Sequence, residues 1–245
     1  MYLRTTLSNT TNTIHGNYKI IRRLINEAVS EEIVPFEKNP FLRYKMKTEK
    51  TTIEYLTDDE LTKFEKLELI AGTKFDIHRD MYVFAAYTGG IRISDVLQLQ
   101  WKNFNGIHII IQIQKTGSPL SVKVPSTALV ILKKYKIPET KPDDFIFPIL
   151  KNEFDFTDPH YLFKAISSAT AYTNKDLKEI AIKAKIKKRL HFHTSRHTFA
   201  TRALRKGMRM EYASKIMGHS NLKTTQIYAK VVNEELDKAM EVFDL

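Results

Sequence analysis

Helical spacing of apolar residues runs through most of this chain and is interrupted by one block of another kind. Ile14, Tyr18 and Ile21, for example, recur every three or four residues, which is the period of an amphipathic helix. Residues 107–114 are instead β-branched and mostly apolar, and they follow the turn signal Asn105-Gly106. The sequence therefore predicts a mainly α fold with one small antiparallel β-sheet, which is an α+β class.

A hairpin is the simplest form of this sheet. Residues 115–118 give a second turn signal, and residues 121–124 alternate between polar and apolar side chains before Pro125. We expect a β-hairpin or a three-stranded sheet with Lys115 at its tip. A lysine at such a tip often does no more than keep the sheet edge solvated.

Several helices have recognisable ends in the sequence. Thr57 and Glu60 form a capping box at the start of one helix. Residues 161–172 and 176–184 are expected to form two separate helices.

A further helix is predicted over residues 76–87, where Gly89-Gly90 ends it by supplying positive φ angles. We expect Ser94 or Asp95 to cap the short helix that follows. Arg92 would then lie just ahead of a helix N-terminus, either as a snorkelling surface residue or as an anion ligand.

The formal net charge of +11 is large for 245 residues. A positive field of this kind favours a polyanion such as nucleic acid, with an anionic membrane surface as the alternative. The sequence has no apolar run of about 18 residues to span a bilayer and no secretory signal pattern. The lack of cysteine excludes disulfides, thiolate nucleophiles and cysteine-based zinc sites, and it fits a reducing compartment. We therefore expect a soluble, cytoplasmic protein that binds nucleic acid.

Residues 193–228 concentrate side chains that suit phosphate chemistry. His193 and Arg196 lie in one segment, and His219 and Tyr228 follow within the same stretch. Arginine matches phosphate oxygens in a bidentate fork, imidazole moves protons near neutral pH, and tyrosine is a candidate nucleophile. Histidine and tyrosine are also ordinary core and surface residues, so this stretch alone leaves both interpretations open.

A zinc site is the competing interpretation of the histidines. His191, His193 and His197 are candidate ligands, and the last two are one helical turn apart. The glutamate of a His-Glu-x-x-His zinc site is missing, so the sequence favours no metal. We interpret His197 as a buried helix residue that makes a hydrogen bond.

Five short motifs occur along the chain in a defined order. They are TGGIRISD at 88–95, KTG at 115–117, HTSRHTFA at 193–200, GH at 218–219 and TTQIY at 224–228. Together with the His219 to Tyr228 spacing, they resemble the tyrosine recombinase (phage integrase) family over about residues 51–245. The third and fifth motifs look most like the integrases of conjugative transposons and related mobile elements.

The resemblance implies a mostly helical catalytic domain preceded by a helical core-binding domain that completes a clamp round DNA. We expect residues 53–245 to form the catalytic domain, residues 46–52 a linker, and residues 1–45 a partial, truncated core-binding domain. The chain departs from the family at Gly90, where many relatives carry an apolar residue. We expect this glycine to reduce backbone rigidity beside Arg92.

The resemblance also implies the chemistry. Arg92 and Arg196 would neutralise charge that builds on a scissile phosphodiester. Tyr228 would attack phosphorus and leave a 3′-phosphotyrosyl link, with no ATP, metal or other cofactor.

Three further side chains receive roles in the same way. His193 is expected to help as a general acid or base, and His219 to hydrogen-bond the phosphate. Lys115 would protonate the 5′-oxygen leaving group, with Lys123 as the alternative.

The implied function is site-specific DNA recombination that integrates or excises a mobile element. The implied partners are a double-stranded DNA core site and further copies of the chain, which form a tetramer in the synapse. The implied location is the nucleoid of a prokaryotic cell, and no membrane is involved. A C-terminal helix around Leu236, Met240 and Phe243 is expected to dock on a neighbouring protomer. Two alternatives stay open, namely a type IB topoisomerase that relaxes DNA and a non-catalytic DNA-binding fragment of an integrase.

Overall fold

The computed structural model describes residues 2–49 and 52–229. The chain divides into two compact units, Met1–Ile53 and Glu54–Leu245. The helix expected around Leu236, Met240 and Phe243 lies outside the described residues. The assignment of residues 1–45 as a core-binding domain stays a prediction.

The first unit is built on one long helix. Its elements are α1 (Tyr2–Thr5), α2 (Thr11–Ser30) and two 3₁₀ turns at Phe36–Lys38 and Pro40–Leu42. Thr10 caps the N-terminus of α2, because its hydroxyl accepts a hydrogen bond from the Thr13 N–H at 3.2 Å. Tyr18 of α2 makes edge-to-face contacts with Phe41 and Tyr44. No residue of α2 is buried, and its apolar side chains Ile20, Ile21 and Leu24 are exposed.

The second unit is mostly helical. Its helices are α3 (Asp58–Glu65), α4 (Lys74–Tyr87), α5 (Ile93–Leu97), α6 (Ser126–Tyr135), α7 (Pro159–Lys183), α8 (His193–Arg205), α9 (Met210–Ile216) and α10 (residues 223–229), with a 3₁₀ turn at Trp101–Asn103. Thr57 and Glu60 form the capping box that the sequence predicted at the start of α3. None of the described helices is both long and apolar enough to cross a membrane.

Helix α7 corrects one prediction. It runs without a break from Pro159 to Lys183, whereas the sequence suggested two helices with a gap at residues 173–175. Thr173 and Leu177 are fully buried in α7, and Ile180 joins them one turn later. Packing of this apolar face outweighs the weak helix propensity of the residues in the supposed gap.

The sheet is a two-stranded antiparallel hairpin in the described part of the chain. Its strands are β1 (His108–Gln112) and β2 (Pro119–Lys123). Gln112 pairs with Pro119 beside the turn, and His108 pairs with Lys123 at the opposite end. The prediction of a mainly α fold with one small antiparallel sheet is confirmed.

Helix α4 lies at the centre of the core. All six residues from 81 to 86 are buried, so the helix is covered on every side. The Tyr82 hydroxyl lies 3.0 Å from Thr194 Oγ1, which ties α4 to the first turn of α8. This contact fixes the rotation of α8 about its own axis.

Candidate active site

The start of α8 presents three polar side chains on one face. Arg196 and His197 follow His193 by three and four positions, which places both beside it on a helix. Thr194 and Thr198 lie on the face that packs against α4, where both hydroxyls are buried beside Tyr82. The buried threonines therefore orient the three polar residues toward the site.

Arg196 is anchored by two backbone carbonyls. It is 3% exposed, and its guanidinium donates to the Gly90 carbonyl at 2.7 Å and to the Met217 carbonyl. Burial lowers its pKa to about 10, and the nearby charge of Arg92 adds to this effect. Arg196 therefore stays charged at neutral pH, with its planar group held between the ends of α4 and α9.

Gly90 makes this anchoring sterically feasible. Its φ angle is +63°, and a Cβ atom built there would lie 2.9 Å from the Cα of Arg196. The Gly90 N–H also donates to the Ala85 carbonyl at 2.9 Å. The close approach of Arg196 requires a residue without a side chain at position 90, while the expected loss of backbone rigidity stays a prediction.

Arg92 occupies the N-cap position of α5. The expectation that Ser94 or Asp95 caps this helix is wrong, since the helix already begins at Ile93 and no side chain caps it. Asp95 instead accepts a hydrogen bond from the Gln114 N–H at 3.0 Å, which ties α5 to the hairpin turn. Burial raises the pKa of Asp95, and the charges of Arg92 and Arg196 counter that effect.

Lys115 lies in the exposed hairpin turn, as predicted. Burial is the main cause that lowers the pKa of His193, and the charge of Lys115 contributes after those of Arg196, His191 and Arg92, so Lys115 lies in the neighbourhood of this histidine. Lys123 pairs with His108 at the far end of the hairpin. This geometry favours Lys115 over Lys123 as the lysine of the site.

His219 follows α9, and among the described residues its side chain pairs with a threonine. Its Nδ1 lies 2.8 Å from the hydroxyl of Thr225, which is fully buried. Burial lowers the pKa of His219 to about 4, with further contributions from Arg196 and Arg92. His219 is therefore neutral at pH 7, and its ring nitrogens are fixed in position by Thr225.

Tyr228 lies in α10 with its side chain turned inward. It is 2% exposed, and its hydroxyl is 2.8 Å from Nδ1 of His197. Burial raises the pKa of Tyr228, and the charge of Arg196 acts in the opposite direction. The candidate nucleophile therefore lies within the electrostatic reach of the buried arginine.

Comparison with known protein families assigns this chain to a family. The profile of the phage integrase family matches residues 54–235 of this chain. This chain belongs to the phage integrase family. The resemblance expected from the five motifs is confirmed, and these integrases are also called tyrosine recombinases.

Relatives of this integrase-family chain are tyrosine recombinases. One from Thermosipho africanus is 29% identical over 221 residues, which cover 89% of this chain and 68% of the relative. The tyrosine recombinase XerA of Thermococcus onnurineus is 33% identical over 198 residues, which cover 80% of this chain and 64% of that protein. The matched part thus spans about two thirds of the length of these relatives.

Two solved structures share the fold of this integrase-family chain. One is a Tn1549 transposon integrase fragment in complex with circular intermediate DNA, with 21% identity, a TM-score of 0.61, and coverage of 92% of this chain and 76% of that one. The other is a lambda integrase dimer bound to a core site, with 17% identity, a TM-score of 0.63, and coverage of 87% of this chain and 73% of the lambda integrase chain. At these identities the likeness shows the fold alone.

The integrase-family fold brings all six predicted site residues into one cluster. Arg92, Lys115 and Arg196 all act on the pKa of His193, while Arg196 also acts on His219 and Tyr228. The six residues are Arg92, Lys115, His193, Arg196, His219 and Tyr228. Their catalytic roles stay predictions.

His197 was not included in the predicted set. The sequence indicated only that it would be buried and hydrogen-bonded, and the structure identifies its partner as the hydroxyl of Tyr228. Its ring also meets that of His193 edge to face, with 4.6 Å between the ring centroids. In the sequence, only the place of His197 directly after Arg196 points to a role in the site. The contact with Tyr228 joins residues 31 positions apart, and no sequence pattern reveals it.

The electrostatics of the cluster favour a bound anion. Burial lowers the pKa values of His193, His197 and His219 to about 4, and surrounding cations contribute in each case. Neutral imidazoles beside two arginines can donate a hydrogen bond to a phosphodiester oxygen without adding positive charge. In the described part of the chain, no three histidine, aspartate or glutamate side chains are arranged to hold a metal ion.

Proposed function

We propose that this chain is a site-specific DNA recombinase that cleaves and rejoins strands through Tyr228. The observation that carries the proposal is the placement of the Tyr228 hydroxyl, on His197, beside the buried and doubly anchored Arg196. A phenol, a fixed guanidinium and neutral imidazoles together suit attack on a phosphodiester.

The proposed reaction needs no external energy source. The Tyr228 oxygen attacks phosphorus and the bond to the 5′-oxygen breaks, which leaves a 3′-phosphotyrosyl link. Arg92 and Arg196 stabilise the charge on the non-bridging oxygens, and His219 donates a hydrogen bond to one of them. Lys115 gives a proton to the 5′-oxygen. Because the phosphotyrosyl bond conserves the energy of the broken bond, a 5′-hydroxyl of another strand can reverse the step without ATP.

His193 needs a separate assignment within this proposal. Its ring meets that of His197 edge to face, and burial together with the charges of Arg196, Arg92 and Lys115 lowers its pKa. We assign it to general acid or base help at the phosphate, as the family resemblance implies.

Double-stranded DNA is the proposed substrate. The net charge of +11 supports a polyanionic partner, and the Tn1549 and lambda integrase structures contain DNA. We infer that recombination takes place in a synapse of four protomers on nucleoid DNA of a prokaryotic cell and serves to integrate or excise a mobile element. Residues 54–229 would supply the chemistry, and residues 1–45 would be part of a core-binding domain.

The test is the trapping of a covalent adduct. A pool of duplexes with a randomised core and a nick beside the centre is incubated with the full chain and EDTA. The short 5′-hydroxyl fragment diffuses away after cleavage, so a phosphotyrosyl adduct accumulates and its DNA can be sequenced. We expect an adduct with the wild-type chain and none with Tyr228→Phe.

Three outcomes separate the functions. An adduct that survives Tyr228→Phe, or that needs a divalent ion, would contradict the mechanism. DNA binding without any adduct would instead indicate a non-catalytic fragment. Relaxation of plasmids regardless of sequence would indicate a topoisomerase, an alternative that the similarity to recombinases does not favour.

A further inference from the structure

His197 has a position that its expected role as a structural helix residue does not explain. Its Nδ1 contacts the phenolic oxygen of Tyr228 at 2.8 Å, and this is the reacting atom of the proposed function. His193, Arg196 and His219 lie around the same site, yet none of them has a direct hydrogen bond to that oxygen among the described contacts.

We propose that His197 holds the hydroxyl of Tyr228 and receives its proton when the tyrosine attacks phosphorus. This inference rests on the proposed function and assigns a further catalytic residue to it. Side chains of this protein account for both proton transfers of the step. The Tyr228 O–H bond breaks as the bond between oxygen and phosphorus forms, the proton moves to Nδ1 of His197, and the 5′-oxygen takes a proton from Lys115.

The local geometry restricts how this proton can move. Tyr228 is 2% exposed, so bulk water has little access to its side chain. Ordinary phenol has a pKa of about 10, and burial raises the pKa of Tyr228 further, so attack at neutral pH needs an acceptor. His197 is the described side chain that already lies within hydrogen-bond distance.

The surroundings of His197 keep its ring neutral, so that it can accept a proton. The groups that face it are His193, His191 and Arg196 from α8 and the segment before it, and Tyr228 from α10. Burial, followed by the influence of His193, His191 and Arg196, lowers its pKa to about 4, so the ring is neutral before DNA binds. A scissile phosphate would bring one negative charge to this cluster of cations, which raises the basicity of a nearby imidazole. His197 thus becomes a stronger base when the substrate is in place.

The first experiment compares His197→Asn with the wild type on a nicked duplex that the wild-type chain has selected from the random-core pool. An asparagine amide can occupy the position of Nδ1 and hold the hydroxyl, but it cannot take up a proton. We expect DNA binding to be unchanged and the rate of adduct formation at pH 7 to fall by about 100-fold or more. His160→Asn is the matched control, because His160 is exposed in the first turn of α7.

The pH dependence distinguishes proton transfer from simple positioning. Without an internal acceptor, the reaction depends on the small fraction of tyrosinate, so the His197→Asn rate should rise about tenfold per pH unit between pH 6 and 9. The wild-type rate should stay nearly flat over that range. A defect of constant size across this range, or no defect at pH 7, would overturn the inference. If the wild-type chain traps no duplex, the proposed function itself fails.

A second measurement does not depend on the folding of a His197 variant or on DNA. In the ¹⁵N-labelled full chain, the Nδ1 resonance of His197 should shift when Tyr228→Phe removes the hydroxyl. His160 provides the reference signal. An unchanged His197 resonance would show that the contact does not form and would overturn the inference.

Discussion

Nδ1 of His219, in the segment before α10, lies 2.8 Å from the hydroxyl of Thr225, in the first turn of α10. Thr225 is fully buried, so its hydroxyl has a fixed position. A histidine whose Nδ1 is held in this way presents Nε2 in a constant direction. The same helix that carries Tyr228 therefore orients the histidine proposed to contact the phosphate.

Thr225→Val should separate this orienting role from packing. Valine matches threonine in shape but has no hydroxyl, so His219 loses its partner. We expect adduct formation to slow by about tenfold, which corresponds to the loss of one hydrogen bond worth about 1.4 kcal/mol, with little change in DNA affinity. Thr224→Val is the control, because Thr224 is exposed beside it. Equal rates for the two variants in the adduct assay would contradict the role of Thr225.

Gly90→Ala should destabilise the protein through Arg196. The new Cβ atom would lie 2.9 Å from the Cα of Arg196, at a φ angle of +63° that disfavours any side chain. Gly106→Ala is the matched control, since Gly106 has a φ angle of +95° but nothing within 4 Å of its Cβ position. We expect Gly90→Ala to lower the free energy of unfolding by about 1–3 kcal/mol more than the control does. Urea denaturation measures this difference, and equal losses would mean that the crowding has no cost.

Lys115 and Lys123 can be separated by changing the leaving group. We expect Lys115→Ala to slow adduct formation by about 10²-fold or more, because the 5′-oxygen loses its proton donor. A substrate with a bridging 5′-sulfur needs no such donor, so it should restore most of the rate. Lys123→Ala is the control and should leave the rate unchanged with either substrate, since Lys123 lies at the far end of the hairpin. The opposite pattern for the two lysines would show that the site uses Lys123.

The histidines of the site should make the stability depend on pH. His193, His197 and His219 have folded-state pKa values of about 4, below the usual value of about 6.5 for an unfolded chain. The unfolded chain thus binds more protons between these values, so folding stability is fully present above pH 6.5 and falls as the pH drops toward 4.

Urea denaturation between pH 4 and 7 measures that dependence. His197→Asn should weaken it, and His160→Asn should not. An equal pH dependence of the unfolding free energy in both variants would show that His197 titrates normally in the folded chain.

The sequence determined the class of fold and supplied most residues of the candidate site. The helical period, the β-branched block at residues 107–114 and the capping box at Thr57 are local patterns, and local patterns set secondary structure wherever packing does not oppose them. The five motifs identified the family, because residue type and order are properties of the sequence itself. The two-helix prediction for residues 161–184 was wrong because burial of Thr173 and Leu177 overrode local propensity.

Only the tertiary structure decided how the site residues meet. Gly90 and Arg196 are 106 positions apart in sequence, and their close approach explains why a residue without a side chain occupies position 90. The contact of His197 with Tyr228 likewise depends on how α10 packs against α8. Hydrogen bonds of this kind form between atoms that folding brings within about 3 Å, and no spacing along the chain encodes such distances directly. The sequence therefore supplied the chemical groups, while packing around α4 and α8 determined which of them touch.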